Sequence, residues 1–148
     1  MVIQLLLFLA FILAPAWNPW LTPDLVAGLE VPRIVALTLG GLIALWLAAA
    51  GALRIRRYIT PLPYPVEHNR LVTEGVYGLV RHPLYSSQLF AALGWTLFTL
   101  SLAHLGILIL GFLLFDYKAG KEEAWLTERH PEYVAYARRV RKFIPWLY

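Results

Sequence analysis

The chain has 148 residues, of which 59% are hydrophobic and only 15% are charged. With a mean hydropathy of +0.61, it carries too little polar surface to enclose its apolar side chains in a water-soluble domain of this size. The absence of cysteine excludes disulfide frameworks, thiolate zinc sites, iron–sulfur clusters and thiol redox chemistry within the chain. The composition therefore predicts one lipid-embedded domain over residues 1–148.

The net charge of +4 and the pI near 9.6 would also suit a protein that binds nucleic acid. The basic residues, however, flank apolar segments and do not form a separate polar region. Anionic lipid headgroups are the counter-charge that such a distribution favours. Membrane lipids are thus the expected partners, and nucleic acid is not.

The first two apolar segments, 2–17 and 34–53, are predicted membrane spans. The second is uncharged and, at about 1.5 Å per residue, long enough to cross a hydrocarbon core of about 30 Å. The first ends in a cluster of Trp and Pro, where indole rings would lie at headgroup depth. An alternative is a cleaved signal peptide, because Ala14-Pro15-Ala16 resembles a cleavage site, although no Lys or Arg precedes the apolar run.

From His82 to Phe115 there is no Asp, Glu, Lys or Arg, and this stretch is too long for one span. It predicts two short or tilted helices, 84–100 and 104–117, joined by a turn near Ser101 to Gly106. His104 falls at that turn. We expect it at the membrane surface, the alternative being a buried ligand or proton relay.

The basic residues predict the orientation, because Lys and Arg collect on the cytoplasmic side of a membrane. Of the 13 Lys and Arg residues, five lie between Arg54 and Arg81 and seven between Lys118 and Lys142, which leaves only Arg33 elsewhere. With four spans, both termini and the segment 54–81 would face the cytoplasm. We expect a multi-pass protein of a prokaryotic inner membrane.

The polar loop predicted at 58–83 begins with a proline-rich stretch that favours extended backbone. Further along it, Gly75 permits a turn with positive φ. Pro83 is well placed as the first residue of the third span, which leaves unpaired N–H groups and a positive dipole end beside His82. Arg81 and His82 are candidate site residues at this position. The alternative is that they only anchor the chain at the membrane interface.

The polar segment predicted at 118–148 carries the adjacent pair Glu122 and Glu123. Adjacent helical residues point about 100° apart, so we expect one glutamate to face a ligand and the other to orient it or Arg81. The alternative is that Glu122 pairs with Lys118 on a solvated face. A C-terminal interfacial helix is predicted from about Pro131 to Lys142. Its apolar face would hold these residues: Tyr133, Tyr136, Ala137, Val140 and Ile144.

These motifs together resemble the isoprenylcysteine carboxyl methyltransferase and phospholipid methyltransferase superfamily, in its small bacterial-type form. The matching elements are Gly75-x-Tyr77, Arg81-His82-Pro83-x-Tyr85, Gly94, Glu122-Glu123, Glu132-Tyr133-x-x-Tyr136, Arg139-Val140 and Pro145. Their order and spacing agree from Leu71 to Pro145. The family often has Pro where this chain has Val76, and commonly Pro where it has Arg141. Those departures weaken inferences about the substrate.

The resemblance implies an S-adenosylmethionine-dependent methyltransferase that is all-α, with its cofactor site at the cytoplasmic face and a lipid-like acceptor. It implies no metal. The expected cofactor-binding residues are Val72, Gly75, Tyr77, His82, Pro83, Tyr85, Glu122 and Glu123. The expected catalytic residues are Arg81, Glu123 and Arg139, and the expected acceptor-binding residues are Gln88, Tyr136 and Arg139. A lipid contact is the alternative role for Arg139.

The residue types also suit this cofactor on their own chemistry. Carboxylates can offset a sulfonium charge and accept from ribose hydroxyls, while Arg81 and His82 can receive the cofactor carboxylate. No Gly-x-Gly-x-x-Gly loop occurs, which excludes a soluble Rossmann site. Two other functions stay open: a sterol-reductase-like membrane reductase that uses NADPH, and a non-enzymatic lipid-binding membrane protein. The acceptor could be a prenylated carboxylate, a phospholipid amine, a phenol or a thiol.

The orientation can be tested by cysteine labelling, since the chain has no cysteine of its own. A cysteine placed at Asn69 or at Tyr148 should react only with reagents that reach the cytoplasm. Labelling of either position by an impermeant reagent in intact cells would refute the predicted topology.

Overall fold

The computed structural model describes residues 2–55 and 71–148. Residues 58–70 of the predicted loop lie outside the described residues. A short 3-10 helix occupies Gly75–Gly78. The α-helices are α1 Val2–Leu13, α2 Pro23–Gly28, α3 Glu30–Ile55, α4 Pro83–Thr99, α5 Leu102–Arg129 and α6 Tyr133–Arg139. The predicted all-α class is confirmed over these ranges.

Among the described residues, two helices, α3 and α5, are long and apolar enough to cross a membrane. Large apolar side chains project outward from them, for example Leu45 and Leu113, which are 68% and 57% exposed. Water would make such surface unfavourable, whereas hydrocarbon accommodates it. The number of spans stays a prediction, at four.

Helix α5 runs further than the span predicted at 104–117. It continues through the charged residues to Arg129, because nothing in that stretch breaks a helix: it contains neither Pro nor a turn sequence. Its apolar part ends near Tyr117. Glu122 and Glu123 therefore lie on the polar last turns of a long helix and not on a separate element.

The described chain divides into two compact units. The first unit comprises Met1–Ala44 and Gln88–Tyr117, and the second unit comprises Leu45–Ser87 and Lys118–Tyr148. Within the first unit, α3 and α4 approach closely at Gly40 and Gly94. A Cβ atom on Gly40 would lie 2.8 Å from the Gly94 Cα and 2.9 Å from the Phe90 carbonyl oxygen. Small residues allow this approach of two helix backbones.

The turn between α4 and α5 is also part of the first unit, and the segment after α1 holds it. Leu100 has a positive φ of 51°, and its carbonyl accepts a hydrogen bond from Asn18 Nδ2 at 2.8 Å. The Ser101 hydroxyl accepts from the Trp17 amide at 3.2 Å. The turn is therefore tighter and slightly earlier than the predicted one at 101–106.

Because the turn comes early, His104 lies inside the first turn of α5. It is 3% exposed, its Nε2 accepts a hydrogen bond from Trp95 Nε1 at 3.2 Å, and its ring meets the Phe11 ring edge-on at 4.8 Å. The prediction of a surface histidine was wrong. The helix starts two residues before His104 and turns its side chain inward, among aromatic rings.

The close approach of α3 and α4 can be tested by replacing Gly40, and as a control its neighbour Gly41, with alanine. Gly40→Ala should destabilise the protein by about 1–3 kcal/mol, because backbone atoms that cannot move aside occupy the space of the new methyl group. The control is Gly41→Ala on the same helix, where an added Cβ meets nothing within 4 Å. It should be neutral or stabilise by up to about 1 kcal/mol.

Both variants would be compared by denaturant titration in mixed micelles. Equal stability of the two variants would contradict the packing described for α3 and α4.

Candidate functional site

Two sequence segments about 60 residues apart meet in the second unit. The backbone just before α4 runs beside the backbone after α6: the Arg81 amide donates to the Arg141 carbonyl at 2.8 Å, and the His82 amide donates to the Lys142 carbonyl at 3.1 Å. Val80 forms an isolated parallel bridge with Arg141. Val80 and Phe143 are fully buried beside this junction. The Arg-His motif and the C-terminal motif therefore share one site.

The Arg81 side chain connects several parts of this site by hydrogen bonds. Its Nε donates to Glu123 Oε1 at 2.9 Å, and its Nη1 donates to the carbonyls of Ala137 and Val140, at 3.0 and 2.5 Å. These carbonyls lie at the C-terminal end of α6, where a cation is favourable. With its side chain only 11% exposed, Arg81 is committed to protein groups and acts as a support.

His82 lies between the two glutamates. Its Nε2 is 2.9 Å from Glu123 Oε1, and its Nδ1 is 3.6 Å from Glu122 Oε2. The ring stacks on Tyr85 with centroids 5.6 Å apart and meets Phe143 at 6.0 Å. A carboxylate at each ring nitrogen favours the imidazolium, in which both nitrogens carry protons.

The pKa of His82 reflects this balance. Burial alone would lower the pKa, but hydrogen bonds and charges from Glu122 and Glu123 outweigh burial and raise it above 6.5. Glu123 lies beyond the apolar part of α5. Burial raises its pKa, but the hydrogen bonds from His82 and Arg81 and their charges bring it down to about 2.

Glu122 differs from Glu123 in exposure. Its side chain is 47% exposed, against 18% for Glu123. It accepts a hydrogen bond from the Tyr85 hydroxyl. The Lys118 ammonium lies 5.1 Å from the centre of the Tyr85 ring. Glu123 is thus the glutamate that holds Arg81, and Glu122 is the one with a carboxylate accessible to a ligand.

The predicted turn at Gly75 is confirmed, with φ of +65°. A Cβ there would also lie 2.9 Å from the Arg54 guanidinium. In the adjoining helix the backbone carbonyl of the buried Tyr77 accepts a hydrogen bond from the Tyr136 hydroxyl at 2.6 Å. Tyr136, expected to bind the acceptor, therefore uses its hydroxyl to tie α6 to Gly75–Gly78.

The other predicted residues lie in different surroundings. Pro83 is fully buried, Val72 is half-buried and Arg139 is exposed at the last residue of α6. Gln88 belongs to the first unit, where it accepts a hydrogen bond from Gln4 Nε2 at 3.2 Å.

Sequence reasoning missed a role for Tyr133. This residue is 3% exposed, and its ring lies 5.6 Å from the Tyr136 ring. Its buried hydroxyl lies close to the side chains of Arg81 and Glu123. Burial and the Glu123 charge raise its pKa, although the Arg81 charge opposes this. The signal that could have found it is the Glu-Tyr-x-x-Tyr motif, which contains both tyrosines.

Comparison with known families supports the motif reading: a model described as phospholipid methyltransferase matches residues 33–136. The chain belongs to the phospholipid methyltransferase family. The predicted resemblance is confirmed. The match covers Arg81, His82 and both glutamates and ends at Tyr136, so that Arg139 lies just beyond it.

Three curated relatives of this phospholipid methyltransferase family member are informative. A protein of Cupriavidus metallidurans named cobalt-zinc-cadmium resistance protein CzcN is 39% identical over 108 residues, covering 72% of this chain and 48% of that protein. The nickel-cobalt-cadmium resistance protein NccN of Alcaligenes xylosoxydans xylosoxydans is 33% identical over 113 residues, covering 76% and 51%. Protein-S-isoprenylcysteine O-methyltransferase B of Arabidopsis thaliana is 32% identical over 83 residues, covering 55% and 42%.

The chain thus spans about half the length of the curated relatives it matches. No solved structure matches it at a significant level.

The His82 cluster predicts a pH dependence of stability. Because the folded pKa of His82 is raised above 6.5, its stabilising effect is complete below pH 6.5 and is lost as the pH rises through the folded value. His82→Gln should cost about 1.5–3 kcal/mol at pH 6, the range for hydrogen bonds to charged groups. The cost should shrink at alkaline pH.

Unfolding of both proteins in detergent across pH 5.5–9 would measure this difference. A cost that grows with pH, or an NMR titration of His82 with a pKa below 6.5, would contradict the arrangement.

Proposed function

We propose that the chain is an S-adenosylmethionine-dependent methyltransferase that acts on a membrane-soluble acceptor. The observation that carries the proposal is the convergence of Arg81 and His82 on Glu122 and Glu123 in a member of the phospholipid methyltransferase family. We also propose a multi-pass location in a prokaryotic inner membrane, with both termini cytoplasmic.

The residues of the second unit fit the charges of this cofactor. The molecule presents a sulfonium and an ammonium cation, ribose hydroxyls and a carboxylate. The half-exposed carboxylate of Glu122 would offset a cation or accept from a ribose hydroxyl. The Tyr85 ring beside it would provide an aromatic contact for a cation. Bound at this site, S-adenosylmethionine would supply an activated methyl group.

Methyl transfer needs positioning more than it needs proton transfer. The acceptor's nucleophilic atom would form a bond to the methyl carbon while the bond between that carbon and sulfur breaks. The electron pair of the broken bond would stay on sulfur. The chain contributes by holding both partners in line and excluding water. Arg81, His82 and Glu123 would keep the binding surface rigid, and none of them need act as a nucleophile.

The protonation of the site favours one class of acceptor. The raised pKa of His82 favours its protonated form, in which it cannot accept a proton, and Glu123 is a weak base because its pKa is lowered to about 2. A general base works best with a pKa near the working pH. An acceptor that is already ionised, such as a carboxylate, requires no base. We therefore propose a lipophilic carboxylate as the acceptor.

A cavity within the first unit supports a lipophilic acceptor. It has a volume of about 250 Å³ and an almost wholly apolar lining from α1, α4 and α5, including Phe11, Leu89 and Leu114. Gln4 and Gln88, hydrogen-bonded to each other, supply polar atoms in the lining. Such a cavity suits an apolar chain.

Calorimetric binding to the protein in nanodiscs tests the cofactor. S-adenosylhomocysteine should bind and NADPH should not. Glu122→Gln should weaken S-adenosylhomocysteine binding by about 1.5–3 kcal/mol, the range for a hydrogen bond to a charged group. The control is Glu128→Gln, because Glu128 is exposed on the same helix. Binding of NADPH in place of S-adenosylhomocysteine would favour the reductase alternative, and binding of neither would leave the lipid-binding alternative.

The acceptor class is tested by methyl transfer to carboxylates that bear prenyl or acyl chains of increasing length. Affinity, corrected for partitioning into the membrane, should rise and then level off. Gly111→Leu should shorten the preferred chain, since Gly111 lines the cavity and an added Cβ there meets open space. Gly106→Leu is the matched control, as Gly106 is equally open but does not line the cavity. A flat response to chain length would refute the lipophilic acceptor.

A further inference from the structure

Arg33, the basic residue that lies apart from both basic segments of the sequence, belongs to the first turn of α3. Its Nε donates a hydrogen bond to the Phe98 carbonyl at 2.5 Å, and its guanidinium carbon lies 5.1 Å from the centre of the Phe98 ring. Within residues 2–55 and 71–148, the guanidinium forms no ion pair and no other hydrogen bond. The cation is therefore held by one edge, and both Nη atoms keep their donors.

Arg33 lines a cavity of the first unit that has a volume of about 740 Å³. The walls come from α2, the start of α3 and the end of α4, and most of the lining is apolar, for example Val26 and Ile34. Leu21 also lines the cavity, and the adjacent Trp20 is 75% exposed. Because Trp is enriched where a membrane meets water, the cavity lies at the depth of lipid headgroups.

Glu30 gives the same cavity a negative charge. It precedes Arg33 by three residues on α3, and residues with this spacing are neighbours, with about 5–6 Å between their Cβ atoms. Even so, Glu30 is exposed and forms no ion pair with Arg33 or with another residue of the described ranges. Arg33 is directed to Phe98 instead. The cavity thus presents two separate charges of opposite sign.

We propose that this cavity binds the headgroup of a zwitterionic phospholipid. The phosphate accepts hydrogen bonds from the two Nη atoms of Arg33, since a planar guanidinium suits bidentate binding of an oxyanion. A two-carbon link joins the phosphate to the cationic nitrogen of the headgroup, which places that cation beside the Glu30 carboxylate. The apolar lining contacts the glycerol and the first carbons of the acyl chains.

The Glu30 carboxylate determines the class of lipid. A headgroup with only a negative charge brings the same phosphate to Arg33 but nothing that offsets Glu30, and the two negative charges repel each other. A zwitterionic headgroup satisfies both side chains, so the site selects by charge. The proposed methyl acceptor is a carboxylate, a group that ethanolamine and choline lipids lack. This lipid site is therefore a binding function beyond the proposed methyl transfer and does not depend on it.

Lipid titration followed by native mass spectrometry tests the site. Phosphatidylethanolamine, phosphatidylcholine and phosphatidylglycerol with identical acyl chains would be added to the full chain in detergent. The wild-type protein should bind one ethanolamine or choline lipid about tenfold more tightly than the glycerol lipid. Arg33→Gln should weaken binding of the two zwitterionic lipids about tenfold, because their phosphate loses a charged donor. Glu30→Gln should abolish the selectivity by strengthening binding of the glycerol lipid.

Matched controls remove the same charges elsewhere. Arg138→Gln and Glu128→Gln change exposed residues that do not line the cavity, and both variants should bind the three lipids as the wild type does. If the wild type holds the three lipids equally, or prefers the glycerol lipid, the proposal is overturned. The same conclusion follows if Arg33→Gln binds lipid as tightly as Arg138→Gln, or if the selectivity survives in Glu30→Gln.

The two cavity variants are independent of each other. Arg33→Gln also removes the hydrogen bond to the Phe98 carbonyl, so this variant could fail to fold. Glu30→Gln then decides the matter by itself, because Glu30 has no ion pair to lose within the described part of the chain. Its loss of selectivity supports the site, and unchanged selectivity overturns it.

Discussion

The guanidinium of Arg81, whose side chain is only 11% exposed, links segments of the second unit that are 42 to 59 residues apart in the chain. It binds Glu123 on α5 and the last carbonyls of α6, while its backbone pairs with the strand-like segment after α6. A cation with so little exposure is stable only when its donors are satisfied. Loss of Arg81 would remove a donor from two carbonyls and would leave the Glu123 carboxylate with His82 as its remaining partner in this cluster. The geometry of His82 and the glutamates depends on this one side chain.

The charged groups of the site divide into supports and groups that a ligand can reach. Arg81, His82 and Glu123 satisfy one another, and this mutual pairing explains why the pKa of His82 rises while that of Glu123 falls. Glu122, with its side chain 47% exposed, is the charged group whose carboxylate remains accessible. Preorganisation of this kind suits a reaction that depends on alignment.

Helix packing in the first unit has a different physical basis from the polar cluster of the second unit. Its helices turn large apolar side chains outward, as lipid permits, so packing between them depends on close contact more than on exclusion of water. Gly40 and Gly94 allow α3 and α4 to touch through their backbones. Polar contacts appear mainly where helices end, at the turn held by Ser101 and Asn18. The cavity lined by α1, α4 and α5 lies within this apolar packing.

The sequence by itself determined the features that depend on local rules. Hydropathy predicted α1, α3, α4 and the apolar part of α5, although not α2. Gly75 predicted its positive φ, Pro83 the start of α4, and the ordered motifs the family. The tertiary structure decided which side chains are paired. The sequence does not distinguish Tyr133 from Tyr136, because their difference depends on a carbonyl 59 residues from Tyr136. His104 was misplaced for the same reason, since Trp95 and Phe11 bury it. Local patterns set backbone conformation, whereas burial and hydrogen-bond partners arise only when distant segments pack together.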